Sequence, residues 1–407
     1  MTTEKRNRKP FRWAVLMAFF GVAAMTQMLW LNFAPLESFV ENKYAISKDS
    51  FGFLMLSFPL VYVLLSMHSG TLIDKKGYRY VIILGSILSA VFACLRCFDH
   101  NFYMLEAGQY GIAVGQPYVI NGISKLVADW FDREETAMAT GIGTAGLLIG
   151  MALGMGLSPA LNDSMGFHNM LIVFAGLSVL LTLIFIWLGK ENNVIQRGTE
   201  SISAMNEIKL LIKDRNLTLL FVISFLAIGV FNGLMSWTEP LLKPNGLNEE
   251  QIGLVGAFLI IGGIVGSLVI PTISDKVKLR KPFLAVCCLI ALIVIYPLCT
   301  LKSITMVYVL GGLLGFFFLP GYALMLSMCE ESAGFEKAGA ATGILMLMGN
   351  AGGVLLIILM PIVDAGKTFW TSSIYLMLVL MALTLALVIG PLKDTFQKDG
   401  QVPLRAE

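Results

Sequence analysis

Polar and aromatic side chains stand at wide intervals inside long apolar runs of this chain, where each is costly unless it faces a partner or a water-lined space. Gln27, Trp30 and Asn32 fall within about two turns of one run. Gln116, Tyr118 and Asn121 surround Pro117 in a second, and Asn232, Trp237 and Glu239 precede Pro240 in a third; Tyr322 and Asn350 stand in later ones. The chemistry open to such a set is recognition. Ring faces hold a cation that has no N–H donors, and a proline frees a backbone carbonyl that an amide or a water must satisfy. Glu239 has three readings: a counter-charge for a cationic solute, a proton carrier, or a solvated carboxylate at the outer interface. Trp30 has two, a residue facing a cavity or a member of the interfacial aromatic belt. Catalysis is not expected. No HExxH, GxSxG or phosphate-cradling loop occurs, His68, His100 and His168 are scattered, and Cys94 and Cys97, one helical turn apart, read as packing residues, so no metal or cofactor site is expected either.

The elements that must position these residues are membrane spans. With 57% hydrophobic and 14% charged residues and a mean hydropathy of +0.78, the 407-residue chain lies far from soluble domains, in which roughly a quarter of residues are charged. Apolar runs near 12–36, 48–73, 80–98, 102–128, 136–161 and 168–189, then 216–242, 249–273, 282–301, 304–329, 337–362 and 369–392, predict twelve helices of about bilayer length. The first run is too long for a signal peptide and reads as a first span. A polar stretch divides the helices into two sets of six: a bundle over 1–190, a linker over 191–215, a second bundle over 216–393 and a tail over 394–407. Within the linker, ISAMNEIKLLIK has the pattern of a helix lying along the membrane surface.

Of the 29 Lys and Arg, 23 fall on the side of the termini and linker, and only Lys43, Lys48, Arg96, Lys243, Lys302 and Lys367 on the other. The positive-inside rule therefore places both termini in the cytoplasm. The two halves are repeats. GTLIDKKGYR at 70–79 returns as ISDKVKLRKP, with Asp74 answering to Asp275 and Arg79 to Arg280. SKDSFG (47–52) returns as NEEQIG (248–253), each opening a helix with a capping side chain and acids in the first turn. Gly70, Asp74, Gly77 and Arg79, with Asp275 and Arg280, read as a charged latch by which one bundle grips the other in one state and releases it in another. Gly146, Gly150 and Gly154, and later Gly262 and Gly266, form small-residue stripes for close helix packing.

Together these features resemble the major facilitator superfamily, whose motif between the second and third helices has Gly, then Asp four residues on, then Gly and a basic residue. Gly70, Asp74, Gly77 and Arg79 match it; the second copy lacks the later glycine. A closer resemblance is to its branch of haem and choline transporter-like proteins, carried by Trp30, ACLRC (93–97), GQPYV (115–119), KLVADWF (125–131), GFFFLPGY (315–322) and Asn350. The resemblance implies an all-α membrane protein with twelve transmembrane helices in two pseudo-symmetric six-helix bundles. It also implies that Trp30 faces the substrate and that Gln116 of the QP pair holds it. Members of that branch have no acid at the position of Glu239, so their substrate does not simply carry over. Pro159 ends its glycine stripe instead of interrupting it, which gives no support for a drug/proton antiporter.

The expected function is secondary transport of a small organic solute by alternating access, with quaternary ammonium cations among the solutes the site suits. Symport with a proton or sodium ion and uniport both stay open. The expected setting is a cytoplasmic or plasma membrane, as a monomer with no nucleic-acid partner. The alternatives are a larger amphiphile such as haem or a drug-like molecule, against which the paucity of His and intramembrane Lys or Arg argues, and a transporter-derived receptor that binds without transporting. A first test concerns the latch: in the outward-open state Asp74 should face the helix start near Gly339. Asp74→Asn should then cut transport while leaving ligand binding nearly intact, and wild-type transport rates in that variant would contradict the latch.

Overall fold

The computed structural model describes residues 9–132, 135–192, 211–334, 337–365 and 370–395. The first half comprises α1 (Lys9–Leu31), a 3-10 turn (Ala34–Leu36), α2 (Glu37–Tyr44), α3 (Lys48–Lys76), α4 (Tyr78–Arg96), α5 (Phe102–Ile120), α6 (Ile123–Trp130), α7 (Thr136–Met165) and α8 (Phe167–Leu188). The second half comprises α9 (Arg215–Ser236), α10 (Thr238–Leu242), a 3-10 turn (Lys243–Asn245), α11 (Glu249–Val277), α12 (Lys281–Thr300), α13 (Ile304–Ala333), α14 (Ala338–Val363) and α15 (Thr371–Ile389). Eleven helical stretches are long and apolar enough to cross a membrane, with α1 and α2 counted as one. The α5 helix is not among them, because Glu106, Gln109 and Gln116 dilute its apolar residues, yet it packs against α1, α3 and α4 and completes the set of twelve. ISAMNEIKLLIK lies, as far as residue 210, outside the described residues.

Local chemistry sets the helix starts. Ser47 accepts a hydrogen bond from Ser50 N at the head of α3, and Asn248 forms a reciprocal capping box with Gln251 at the head of α11. Glycines set how closely the helices approach within each half. A Cβ on Gly150 would lie 1.9 Å from Ala24 O, and one on Gly352 would lie 1.9 Å from Phe225 O, so α7 rests on α1 and α14 on α9 with backbones in contact. Gly262 and Gly266 do the same for α11 against α13.

The halves meet along α7 and α11 and along α3 and α14. Toward the end that carries Ser47 and Asn248, here the far end, the seam is tight. Cβ atoms on Gly253 and Gly256 would come within 2.4 Å of Met155 O and 2.3 Å of Met155 Cε. Toward the opposite, basic end the same helices diverge. Tyr62 of α3 still reaches Met346 Sδ of α14 at 3.7 Å, but Gly70 and Gly339, about 10–12 Å farther along their helices, have no atom within 4 Å of a Cβ position. Gly141 and Gly343 also look into open space. The structure is therefore closed at the far end and open at the basic end.

Each copy of the charged motif is locked within its own half in this state. Asp74 pairs with Lys125 of α6, and Arg79 donates to Gly189 O. Arg280 pairs with Asp275 and, at 3.0 Å, with Glu331. Gly77 turns at φ 86, where a Cβ would meet Glu191 Oε1 at 2.3 Å. Lys278, standing where the second copy lacks its glycine, takes the left-handed α conformation at φ 60, a different turn from that at Gly77 and one that a non-glycine residue adopts at a local cost. At the far end of the first half, Asp99 accepts from His168 (2.8 Å) and Lys43 (3.0 Å). Burial alone would raise its pKa, but these two donors outweigh burial and hold it below the usual carboxylate value.

Two glycine variants separate packing within a half from packing between halves. Gly150→Val should lower the thermal midpoint by several degrees, consistent with an overpacking cost of about 1–3 kcal/mol. Gly253→Val should instead open the far end, read as a longer distance between labels placed there, with a much smaller change in midpoint. Equal effects of the two variants on both readouts would contradict this division.

Candidate functional site

The α1 helix stops at Leu31, leaving its last carbonyls without intrahelical partners inside the membrane. Arg96 supplies the donors. It is 1% exposed, and its Nη1 donates to Leu29 O (3.1 Å) and Gln109 Oε1 (2.7 Å), while the guanidinium lies 4.4 Å from the centroid of Phe33. Gln109 Nε2 reaches Leu29 O and Trp30 O, and Asn32, with its amide oriented to satisfy both neighbours, accepts from Arg96 Nη2 and donates to Leu29 O. Asn32 thus serves the helix break. No carboxylate is paired with Arg96 among the described residues; carbonyls, amides and a ring face carry its charge.

Just toward the basic end lies a band of unspent polar atoms. The Trp30 ring stacks on Phe58 at 5.8 Å and 23°, both rings are buried, and Trp30 Nε1 has no acceptor. Gln27 Oε1 and Gln116 Oε1 are likewise buried without donors. Since Gln109 touches the Trp30 carbonyl, Gln116 lies about 10 Å from that level, seven residues along α5. Helical side chains tilt toward the N-terminus, so Trp30 leans toward the basic end and Gln116 toward the far end. These directions bring the levels of the two side chains closer, and Gln27 lies a turn below Trp30.

The other polar residues singled out in the sequence are distributed around this band. Asn121 is fully engaged: its Nδ2 donates to Ser69 Oγ (2.6 Å) and Ser66 Oγ (3.2 Å), and its Oδ1 accepts from Tyr62 at 3.0 Å. Tyr118 OH meets His68 Nδ1 at 2.8 Å. Tyr322 lies near Tyr62 of the first half, and Asn350 donates to Met346 O one turn before it on α14, the residue whose Sδ Tyr62 reaches. Asn232 packs on Gly353 within the second half. Among the described residues, no group of three or more His, Cys, Asp or Glu could hold a metal ion.

Trp237 and Glu239 occupy the far-end seam. Trp237 is fully buried at the break between α9 and α10, with Nε1 donating to Ile357 O (3.1 Å) and its ring against Trp370 (5.0 Å) and Phe51 (5.9 Å). A Cβ on Gly52 would sit 3.1 Å from that ring. Glu239 is also fully buried. Its Oε1 accepts from Lys243 at 2.8 Å, and its Oε2 accepts the Ser38 N–H at 3.0 Å, placing a carboxylate from the second half on the exposed donors of α2 in the first. Of the three sequence readings of Glu239, the solvated one does not describe this conformation.

A family model described as Major Facilitator Superfamily matches residues 15–357 and 217–403. The chain belongs to the major facilitator superfamily. Its members are transporters, so this is a multi-pass secondary transporter and not an enzyme. Human choline/ethanolamine transporter FLVCR2 is 23% identical over 369 residues, covering 84% of this chain and 70% of its own, a distant relationship. An uncharacterised MFS-type transporter of Caenorhabditis elegans is 24% identical over 97% of this chain and 71% of its own. Among solved structures, a bacterial homologue of the human lysosomal transporter Spinster, inward-facing and occupied, superposes with a TM-score of 0.75 at 16% identity, over 94% of this chain and 97% of that one. The shared fold is that of the superfamily.

Sequence reasoning missed Phe58, Tyr62 and Gln109. Phe58 and Tyr62 lie in an apolar run where aromatics are unremarkable, and nothing local marks which face of α3 is interior. Gln109 did carry a signal, a second glutamine two turns before Gln116. The seam yields a test: Trp237→Ala should cost the closed far end about 3–5 kcal/mol. A cysteine at Met55, buried beneath the seam, should then react with an impermeant maleimide at least tenfold faster than in the Trp237 background, and an unchanged rate would contradict the role given to that indole.

Proposed function

We propose that the protein carries a small amino alcohol of the choline and ethanolamine class by alternating access, with the basic end in the cytoplasm. The moving bodies are the bundles over 1–190 and 216–393. The observation that carries the reading is the band formed by Trp30 on Phe58 with Gln27 and Gln116. It offers aromatic faces for a cationic head, one buried indole N–H for a hydroxyl, and two amide oxygens able to accept from an ammonium or a hydroxyl. A quaternary ammonium needs no acceptor, and stacked rings serve it well. Glu239 is engaged with Lys243 and Ser38, so the reading gives recognition to rings and amides and leaves the carboxylate in the seam. The names of the FLVCR relatives support the same solute class. Tyr322 and Asn350 supply the second-half wall.

Counterflow of labelled choline and ethanolamine in vesicles tests this. Trp30→Ala should reduce counterflow at least tenfold, in keeping with about 2 kcal/mol for a desolvated cation on a ring; Trp30→Phe should keep most of it. No counterflow of either solute by the wild type, or an unaffected Trp30→Ala, would overturn the proposal.

A further inference from the structure

The far-end seam holds more acid than base. Glu37 and Glu41 of α2, Glu239 of α10 and Glu249 of α11 stand there with Lys48 at the head of α3 and Lys243 beyond α10, and Asp163 of α7 faces Glu249. The cations are shared: Lys48 attracts Glu37 and Glu41 and Lys243 attracts Glu41, but each also has a partner of its own. Lys243 pairs with Glu239, and Lys48 lies over the Trp370 ring at 5.4 Å. Ser38 N–H satisfies the other Glu239 oxygen.

Glu37 has no such provision. It is 2% exposed, and its Oε2 has no donor. Glu41, one turn along the same helix and partly buried, has an Oε1 that also lacks one, and its i, i+4 spacing makes the two carboxyl groups neighbours on one face of α2. An ionised carboxylate only accepts, so two of them cannot share a hydrogen bond unless one proton stands between them.

We propose that Glu37 and Glu41 form a proton-binding site, loaded from the far side, that closes the far end when occupied. The inference rests on the alternating-access reading above. With the far end open, water reaches Glu37 and both carboxyl groups are ionised. Closure carries Glu37 out of water and beside the Glu239 anion. A second buried negative charge there is opposed by desolvation and by repulsion, and one proton taken from the far-side solution removes both penalties. That proton leaves hydronium as water, forms an O–H bond on one carboxyl group and donates a hydrogen bond to the other; no other bond forms or breaks. Because closing binds one proton, lower pH on the far side favours the closed form, by up to about tenfold per pH unit where the open form is deprotonated and the closed form protonated. Asp99 does not duplicate this response, because His168 and Lys43 hold it ionised to lower pH.

The test uses the full chain in vesicles, with Cys94 replaced by serine and spin labels at Ser164 and Lys302, exposed far-end positions in opposite halves. The ratio of short to long label distances is measured from about pH 8 to pH 5. The expected result is a growing short-distance population as pH falls, approaching tenfold per unit in the steepest part. Glu37→Gln supplies a permanent amide donor and removes the charge, so it should stay closed at every pH. Glu41→Gln gives an independent check with the same expectation. A pH-independent ratio in the wild type, or wild-type pH dependence in both glutamine variants, would overturn the proton site. Choline counterflow, run in parallel, separates the two proposals: counterflow with a pH-insensitive far end sinks the proton site alone, and a pH-responsive far end without counterflow sinks the solute assignment alone.

Discussion

The architecture depends on the Trp237 indole sealed into the far end of the seam. It sits where α9 gives way to α10, and the break both presents the ring and creates a problem, since carbonyls at the end of α9 lose their partners. Thr238 Oγ1 takes up Leu234 O and Met235 O at 2.9 Å, and the Trp237 Nε1 donor is spent on Ile357 O. The first half breaks at a similar level after Leu31, with Arg96, Gln109 and Asn32 as the compensating donors. Two interrupted helices therefore meet across the seam, and Glu239 joins them by reaching the start of α2.

Closure at one end determines what is possible at the other. With α7 and α11 held by Met155 against Gly253 and Gly256, the helices splay toward the basic end, and Gly70 and Gly339 have nothing opposite. The charged motif cannot bridge the halves in this geometry, so Asp74 pairs with Lys125 and Arg280 with Asp275. Breaking the seal and making the latch are thus competing sets of contacts, which is the form a two-state element takes. A solute of the kind proposed for Trp30, Gln27 and Gln116 would have to enter from that open end.

Much of this was legible in the residues, and the exceptions have physical causes. The duplicated Asp and Arg, the caps at Ser47 and Asn248 and the glycine stripes are local signals, and each occupies the element expected of it. The twelve-helix pattern was legible too, although α5 is polar enough that hydropathy alone does not mark it. The division of labour among polar residues was not legible. Asn32, Asn121, Trp237 and Glu239 look like Gln27, Trp30 and Gln116 in sequence, as polar groups in apolar runs. Only the three-dimensional accounting of donors and acceptors shows that the first four are fully occupied, while each of the others retains a buried atom without a partner. Nor does the sequence show that both Glu239 oxygens find donors while Glu37 Oε2 finds none.

A density map of the protein bound to choline tests the central claim most directly. The account predicts the ammonium against the Trp30 and Phe58 rings, with the hydroxyl within hydrogen-bonding distance of Trp30 Nε1 or of the amide oxygen of Gln27 or Gln116, and with the far-end seam around Trp237 unchanged. Choline bound instead at Glu239, with Lys243 and Ser38 displaced from it, would contradict the account.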